Sequence, residues 1–550
     1  MNLRLVSRML GVVAWLIGLT MAFSLPIAWP QIGGQSTFEA RGFWALLSSI
    51  AVCGAVGLLL RHWGKNAPET LYRKEAMAVV GLSWVLATVL GAVPYYLGGV
   101  NYRAVNGIPL SMGIAECLFE SQSGFSTTGA TVISDLENST WVPRCILFWR
   151  SSTHFLGGLG IIVLFVAILG QGSAGKALMR AEMPGPSKEG SMERMQHTAW
   201  VFVAIYCGLN LVLTILLYLE GMPLFEALCH SFGAIASGGF STLNASIGGF
   251  EKLLPNSYRA IEYTIIVFMI LAGTNFTLLY LCAVRRPGRL FTDPEWRTYA
   301  SFLLVSTILI MAIGIWISPD FDPQGELSRM EEGKTAFRLS AFQAVSLMST
   351  TGYVTADYDR WNNSSRAILM FLALIGGCAG STSGGLKVIR ILLLTKIMGR
   401  EIEHSYHPSV VRHVRLAGEA INDPDLIRNI LGYICLALVT LILFWLLLVC
   451  LEPDSTWIEA GHPASNKLID LASSVVVLMH NVGPGLGVVG ATGNYAEFTA
   501  ASKLLLTVLM MLGRIEIFAI LVLVIPSFWR TRWEVPASRC NTTSRRSWAT

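Results

Sequence analysis

Apolar and polar residues fall in long alternating blocks along this chain. Runs rich in Leu, Ile, Val, Phe, Ala and Gly cover residues 9–29, 43–62, 76–99, 145–170, 198–219, 258–283, 298–318, 366–398, 427–451 and 501–526. About 20 apolar residues in a helix cross the hydrocarbon core of a bilayer, so each run predicts a membrane-crossing helix. Four shorter apolar stretches, near 111–125, 223–236, 337–348 and 467–479, are too short to cross. Each leads directly into a glycine-containing loop and then into another long run. The predicted unit is long helix, short re-entrant helix, loop, long helix. The expected fold is an all-α integral membrane protein with four tandem helix–pore helix–loop–helix repeats about a pseudo-fourfold axis, preceded by two extra transmembrane helices. The boundaries read as 1–74 for the helix pair, then 75–195, 196–293, 294–425 and 426–530 for the repeats. A Ser-, Thr- and Arg-containing cytoplasmic tail at 531–550 is expected to be disordered.

The four loops are Ser126-Thr127-Thr128-Gly129, Ser237-Gly238-Gly239-Phe240, Thr350-Thr351-Gly352-Tyr353 and Asn481-Val482-Gly483-Pro484. One such loop reads equally well as a tight surface turn. Its recurrence does not, because four copies in one chain can close a ring without four subunits. Backbone that leaves a helix at membrane depth must be buried in protein or line a wet cavity. Carbonyl oxygens turned into that cavity can replace the water shell of a potassium ion, as in potassium-channel filters. Glycine lets a carbonyl turn inward without a Cβ clash. The expected metal-ion contacts are Thr127, Thr128, Gly129, Ser237, Gly238, Gly239, Thr350, Thr351, Gly352, Asn481, Val482 and Gly483. No loop carries a carboxylate at its glycine, which argues against a divalent-cation site. Glu120 and Glu226 lie back in the short helices, and Glu120 is expected to satisfy local donors or pair with Arg150.

Composition agrees with a membrane protein: 53% of the 550 residues are hydrophobic and 14% charged, against about 25% charged in soluble domains. A net charge of +5 is too small to imply nucleic acid. Most of the 40 Lys and Arg fall in alternate loops, among them Arg4, Arg8, Arg61, Lys65, Arg285, Arg286 and Arg289. By the positive-inside rule both termini are then cytoplasmic and all four glycine loops lie toward the outer side. The run at 9–29 is too long for a signal-peptide core and is expected to stay as a first helix. The cysteines, such as Cys207, Cys282 and Cys435, show no metal-ligand spacing and are expected to be buried. His154, His230 and His480 belong to no catalytic motif, so an enzyme is not expected. His404, His407 and His413 sit in a polar connection and do not form a metal template.

Two further features bear on the path of an ion. Gly376, Gly377, Gly380, Ser381, Thr382, Gly384, Gly385 and Lys387 belong to a stretch that interrupts the last helix of the third repeat. Each glycine costs about 1 kcal/mol inside a helix relative to Ala, so this helix is expected to break, and the break to act as a gate below the loops. Arg514 is an ionisable residue within a predicted span and a candidate pore residue. Its alternative is a purely structural pairing. Arg150 lies near the outer end of its run, where it can snorkel.

Taken together, Ser126–Thr131, Gly238–Thr242, Ser349–Gly352, Asn481–Gly485, Gly380–Lys387 and Arg514 resemble the Trk/Ktr/HKT potassium transporter superfamily, most closely its bacterial TrkH/TrkG/TrkI-type membrane subunits. The resemblance runs from about Met1 to Pro526. It implies potassium uptake across the bacterial inner membrane through a gated, channel-like pore, with K+ as the transported ion and no organic cofactor in this chain. It also implies a homodimer in membrane lipid. A cytoplasmic RCK/KTN-type nucleotide-binding subunit (TrkA-like) would control opening through the intramembrane loop and the arginine. Gly238 and the Asn481-Val482 pair depart from the Thr-Thr pattern and leave the preference for potassium over sodium open. The alternative function is a sodium/potassium-permeable or ion-coupled secondary transporter.

Overall fold

In a computed structural model, which describes residues 1–67, 72–160, 192–322, 324–408, 414–416, 419–421, 424–515 and 517–529, the apolar runs are helices. The tail at 531–550, the end of the 145–170 run, His413 and Glu516 lie outside the described residues. The leading pair is α1 (Leu3–Ala22) and α2 (Ala40–Trp63). The first repeat holds α3 (Arg73–Leu97), α4 (Ile114–Phe125) and α5 (Arg144–Leu159). The second holds α6 (Met192–Leu219), α7 (Leu224–Ile235), α8 (Tyr258–Ala272) and α9 (Phe276–Ala283). The third holds α10 (Pro294–Trp316), α11 (Arg329–Met348), α12 (Asn363–Leu374) and α13 (Val388–Tyr406). The fourth holds α14 (Pro424–Leu451), α15 (Lys467–Met479), α16 (Ala500–Arg514) and α17 (Phe518–Val524). Two antiparallel hairpins interrupt the helical pattern: β1 (Asn101–Val105) with β2 (Ile108–Ser111), and β3 (Val414–Leu416) with β4 (Glu419–Ile421).

The short helices α4, α7, α11 and α15 do not cross. Each is wedged between the two long helices of its own repeat and the inner helix of the repeat before it. Thus α4 packs on α3, α5 and α16, and α7 on α6, α8 and α5. Similarly α11 packs on α10, α12 and α8, and α15 on α14, α16 and α12. The order closes on itself, so the four repeats surround one axis. The third short helix is longer than its apolar stretch. Ser328 and Glu331 form a capping box that starts α11 on the polar surface, before its apolar turns begin.

The outer wall is lipid-like. Only 28% of the apolar window of α2, 28% of that of α6 and 22% of that of α14 is buried, against 67% of that of α3. Contrary to expectation, Cys207 and Cys435 lie exposed on this wall. In a bilayer an outward face is as apolar as a core, so the same residue type suits both.

The inner helices break in more than the one expected place. The chain bends by 106° between α8 and α9 at Gly273-Thr274-Asn275, and Asn275 caps the new helix by accepting from Thr277 N at 2.8 Å. Between α12 and α13 the chain is non-helical over Ile375–Lys387. A third break follows Arg514, where Ile517 has φ +62°. The second and fourth repeats carry a single glycine at the break, so their hydropathy reads as one continuous span.

One buried ion pair closes the circle of repeats. Lys503 on α16 donates to Glu116 on α4 at 2.9 Å and to Ala496 O at 2.9 Å, with the two side chains 2% and 10% exposed. Removing one member strands the other, at about 3–5 kcal/mol. Lys503→Met is therefore expected to lower the melting temperature of the detergent-solubilised protein markedly. The Lys503→Met/Glu116→Gln double variant should recover much of the loss in the same melting assay.

Candidate functional site

Each short helix ends in the same turn. The last helical carbonyls accept two bonds characteristic of a Schellman cap. Thr128 N bonds Ser123 O at 2.9 Å and Thr127 N bonds Gly124 O at 3.1 Å. The equivalent pairs are Gly238 to Gly233 (2.8 Å) with Ser237 to Ala234 (3.2 Å), Thr351 to Ser346 (2.8 Å) with Thr350 to Leu347 (3.1 Å), and Val482 to Val477 (2.8 Å) with Asn481 to Leu478 (3.3 Å). Such a cap needs a residue with positive φ, usually glycine. Here it is Thr127 (53°), Ser237 (56°), Thr350 (56°) and Asn481 (55°). Non-glycine residues in this region store roughly 1–3 kcal/mol each and persist only where their surroundings impose them.

Two residues on, Gly129, Gly239, Gly352 and Gly483 also have positive φ, from 74° to 101°. Their environment explains why nothing larger stands there. A Cβ on Gly129 would run into the carbonyl oxygen of Gly238, one on Gly239 into that of Thr351, and one on Gly352 into that of Val482. A Cβ on Gly483 would lie 2.6 Å from that of Thr128. The contacts pass from repeat one to two, three, four and back to one. The twelve loop residues expected from sequence therefore come together as one closed ring. Ser126 Oγ meets Thr128 Oγ1 at 2.7 Å, and Ser349 Oγ meets Thr351 Oγ1 at 2.8 Å, which stiffens loops one and three internally. Asn481 Nδ2 donates to Thr128 Oγ1 at 2.9 Å and ties loop four to loop one.

Neighbouring quadrants are also joined just beyond the ring. Tyr353 Oη donates to His230 O (3.0 Å) and Phe240 O (3.2 Å). Tyr358 Oη donates to Gly485 O at 2.9 Å, and Tyr495 N to Thr131 O at 2.9 Å. Arg150 does not snorkel. It is 2% exposed and donates from Nε to Glu120 Oε1 at 2.7 Å and from Nη1 to Ser241 O at 3.0 Å. These tyrosines were not singled out by sequence reasoning, and His154 was weighed there only as a catalytic group. Tyr353 carried a signal, since it follows Gly352 as Phe240 follows Gly239; Tyr358 and Tyr495 carried none.

The glycine-rich segment lies against the helix-end side of the ring. Ser383 Oγ donates to Ser349 O (2.8 Å) and Gly384 N to Thr350 Oγ1 (2.7 Å). Thr382 Oγ1 donates to Ile235 O (2.8 Å) and meets Ser237 Oγ at 3.0 Å. Gly384 also approaches His480 and Asn481. The other expected residues sit farther back. Gly376 N bonds Leu386 O across the neck (2.7 Å), and Gly377 lies against Gly273 and Ser383. Gly380 and Ser381 form the tip near Asn275, with Ser381 Oγ on Cys378 O at 2.6 Å. Gly385 has φ +71° and faces His480, and Lys387 Nζ turns back onto Ser383 O. Arg514 reaches the segment from α16. It donates to Thr382 O at 3.0 Å and to Gly157 O, at the end of α5, at 2.7 Å.

Sequence reasoning missed Glu295. Its carboxylate accepts from Ala379 N at 2.7 Å and from Ile389 N at 3.1 Å, so one side chain holds both ends of the segment. In sequence it reads only as an acidic first-turn residue after the Asp293 cap.

Short helices converging on a closed ring of backbone, inside a bundle of membrane-crossing helices, define a multi-pass membrane protein of the ion-transporting class. A family model described as "TrkH: Cation transport protein" matches residues 44–531, and the chain belongs to that family, whose members are transporters and not enzymes. The Trk system potassium uptake protein TrkH of Halomonas elongata is 32% identical over 96% of this chain and all of its own. TrkH of Escherichia coli K12 is 33% identical with the same coverage. Among solved structures, the potassium transporter TrkH from Vibrio parahaemolyticus superposes with a TM-score of 0.76 at 28% identity, covering 95% of this chain and 99% of that one.

The Glu295 clamp gives a direct test. Glu295→Ala takes the acceptor from two half-buried amides, at up to about 1–3 kcal/mol each. Cys378, wholly buried in the neck, should then react severalfold faster with a water-soluble maleimide in proteoliposomes. Glu295→Gln keeps an acceptor oxygen and should stay near the wild-type rate.

Proposed function

We propose that this chain is the potassium-uptake pore of a Trk-type system, with the loop ring as its selectivity filter. The observation that carries this reading is the closed run of glycine-to-carbonyl contacts linking all four repeats. Backbone oxygens held at fixed spacing suit a dehydrated monovalent cation without trapping it. The four short helices aim their C-termini at the ring, and the negative end of each helix dipole favours a cation there. Relatives named as Trk system potassium uptake proteins point to potassium as the ion. The chain lies in the bacterial inner membrane, and the loop charges support cytoplasmic placement of both termini. It works as a homodimer under a cytoplasmic nucleotide-binding subunit of the RCK/KTN type.

On this reading the Ile375–Lys387 segment is the gate. It occupies the side of the ring facing the cytoplasm, and Arg514 holds it by the Thr382 carbonyl. A guanidinium at that place repels an arriving cation and donates to the backbone that closes the path. The regulatory subunit opens the path by drawing the segment aside.

The test is rubidium flux into proteoliposomes with sodium as competitor. Gly352→Ser, which drives a side chain into the Val482 carbonyl, is expected to raise the sodium-to-rubidium flux ratio. An unchanged ratio in this variant and its Gly129, Gly239 and Gly483 counterparts would refute the filter. Arg514→Ala should raise flux severalfold in liposomes containing the membrane subunit alone, and Arg514→Lys should keep part of the barrier. Folded Arg514→Ala protein conducting no more than wild type would make the arginine structural.

A further inference from the structure

Loop two is built differently from its neighbours. Loops one and three are clamped internally by paired hydroxyls, Ser126 with Thr128 and Ser349 with Thr351. The equivalent positions in loop two are Ala236 and Gly238, which have no hydroxyl to offer. Its support comes from outside, from one face of α5, where Arg150 and His154 are a helical turn apart. His154 is fully buried, with its ring stacked on Phe240 at 4.1 Å. Its Nε2 accepts from Phe240 N at 3.1 Å, and its Nδ1 meets Gly124 O at 2.8 Å. The Arg150 guanidinium lies 3.4 Å from the centre of the same Phe240 ring, and its Nη1 donates to Ser241 O.

The other half of this arrangement belongs to loop one. Glu120, fully buried, accepts from Arg150 and also from Thr131 Oγ1 (2.9 Å) and Val132 N (3.0 Å), on the limb leaving Gly129. Positions equivalent to Glu120 hold His230, Gln343 and Ser474. His230 Nε2 meets Ser241 Oγ at 2.9 Å, and Gln343 Nε2 donates to Thr355 Oγ1 at 3.3 Å. Ser474 bonds within its own helix, to Leu471 O. Neutral struts therefore serve elsewhere in the same ring. Among the described residues, a full ion pair at this position of the repeat occurs only between loops one and two, although burying one is costly. What the pair adds is reach. The guanidinium holds the outgoing limb of loop two at Ser241 O and, through Glu120, the outgoing limb of loop one, a linkage that a neutral strut within a single repeat does not make.

We infer that Glu120 and Arg150 are positioning residues. They set the spacing of loops one and two and so the discrimination of potassium from the smaller sodium ion. This rests on the ring being the filter. The experiment compares sodium-to-rubidium flux ratios in proteoliposomes for Arg150→Lys and for Glu120→Gln/Arg150→Met. The lysine keeps the charge but loses the fork that bonds Glu120 and Ser241 O together. The double variant strands no charge. Both should raise the ratio severalfold while rubidium flux persists. Phe240→Leu, which removes the ring under the guanidinium, should move the ratio in the same direction and serves if either variant fails to fold. Lys503→Met/Glu116→Gln removes a buried pair that bonds neither Thr131, Val132 nor Ser241 and should leave the ratio unchanged. Gly352→Ser runs alongside. If it shifts the ratio and folded Arg150→Lys, Glu120→Gln/Arg150→Met and Phe240→Leu do not, the pair is structural and the inference falls alone. If Gly352→Ser also leaves the ratio unchanged, the filter reading and this inference fall together.

Discussion

Four carbonyl oxygens, each pressed against the glycine of the repeat beside it, fix the centre of this molecule. The contact leaves no space for even one methyl group. Each repeat must therefore meet its neighbours in register, and an error at one boundary passes round the ring. Close-packed interiors move between discrete arrangements and do not deform smoothly. The wedging of each short helix between two repeats follows from the same demand, because a ring so tight needs walls shared between quadrants.

Holding that centre requires unfavourable local conformation. Thr127, Ser237, Thr350 and Asn481 adopt backbone angles that glycine would take without strain. The surroundings supply the compensation: paired Schellman bonds, hydroxyl contacts within loops one and three, and buried tyrosines that donate across repeat boundaries. The chain is thus stiff where four repeats meet and apolar where it meets lipid. These two regimes explain how buried polar groups such as Glu120, Gln122, Gln343 and His154 coexist with a largely hydrophobic exterior.

The helices and their fourfold repetition were legible because membrane helices carry their signal locally, in about 20 residues at a time. The loops were legible because a glycine recurs after each short apolar stretch, with Thr-Thr before it in loops one and three. The Glu120–Arg150 pair was readable as one of two options, but the burial of Arg150 was not, since snorkelling depends on what packs overhead. Breaks at Gly273 and Ile515 were hidden inside continuous apolar runs. Glu295 was invisible for another reason. Its partners, Ala379 and Ile389, are backbone amides far along the chain, and an amide belonging to any residue type leaves no trace in sequence. The tyrosine cross-ties are of the same kind, as side chains that act on main-chain oxygens.

The segment beneath the ring is bonded unevenly. It satisfies the oxygens of Ser237 and Thr350, while Thr127 Oγ1 and Asn481 Oδ1, equally buried, have no hydrogen-bond partner among the described residues. Hydroxyl and amide oxygens are the groups that stand in for water around a monovalent cation. On the proposed function, withdrawing the segment would free the two occupied oxygens to join the two already vacant. Unblocking the path and completing a four-sided inner coordination shell would then be one event. An obstruction of this design also withholds solvation, and the barrier to a waiting ion is chemical as well as steric.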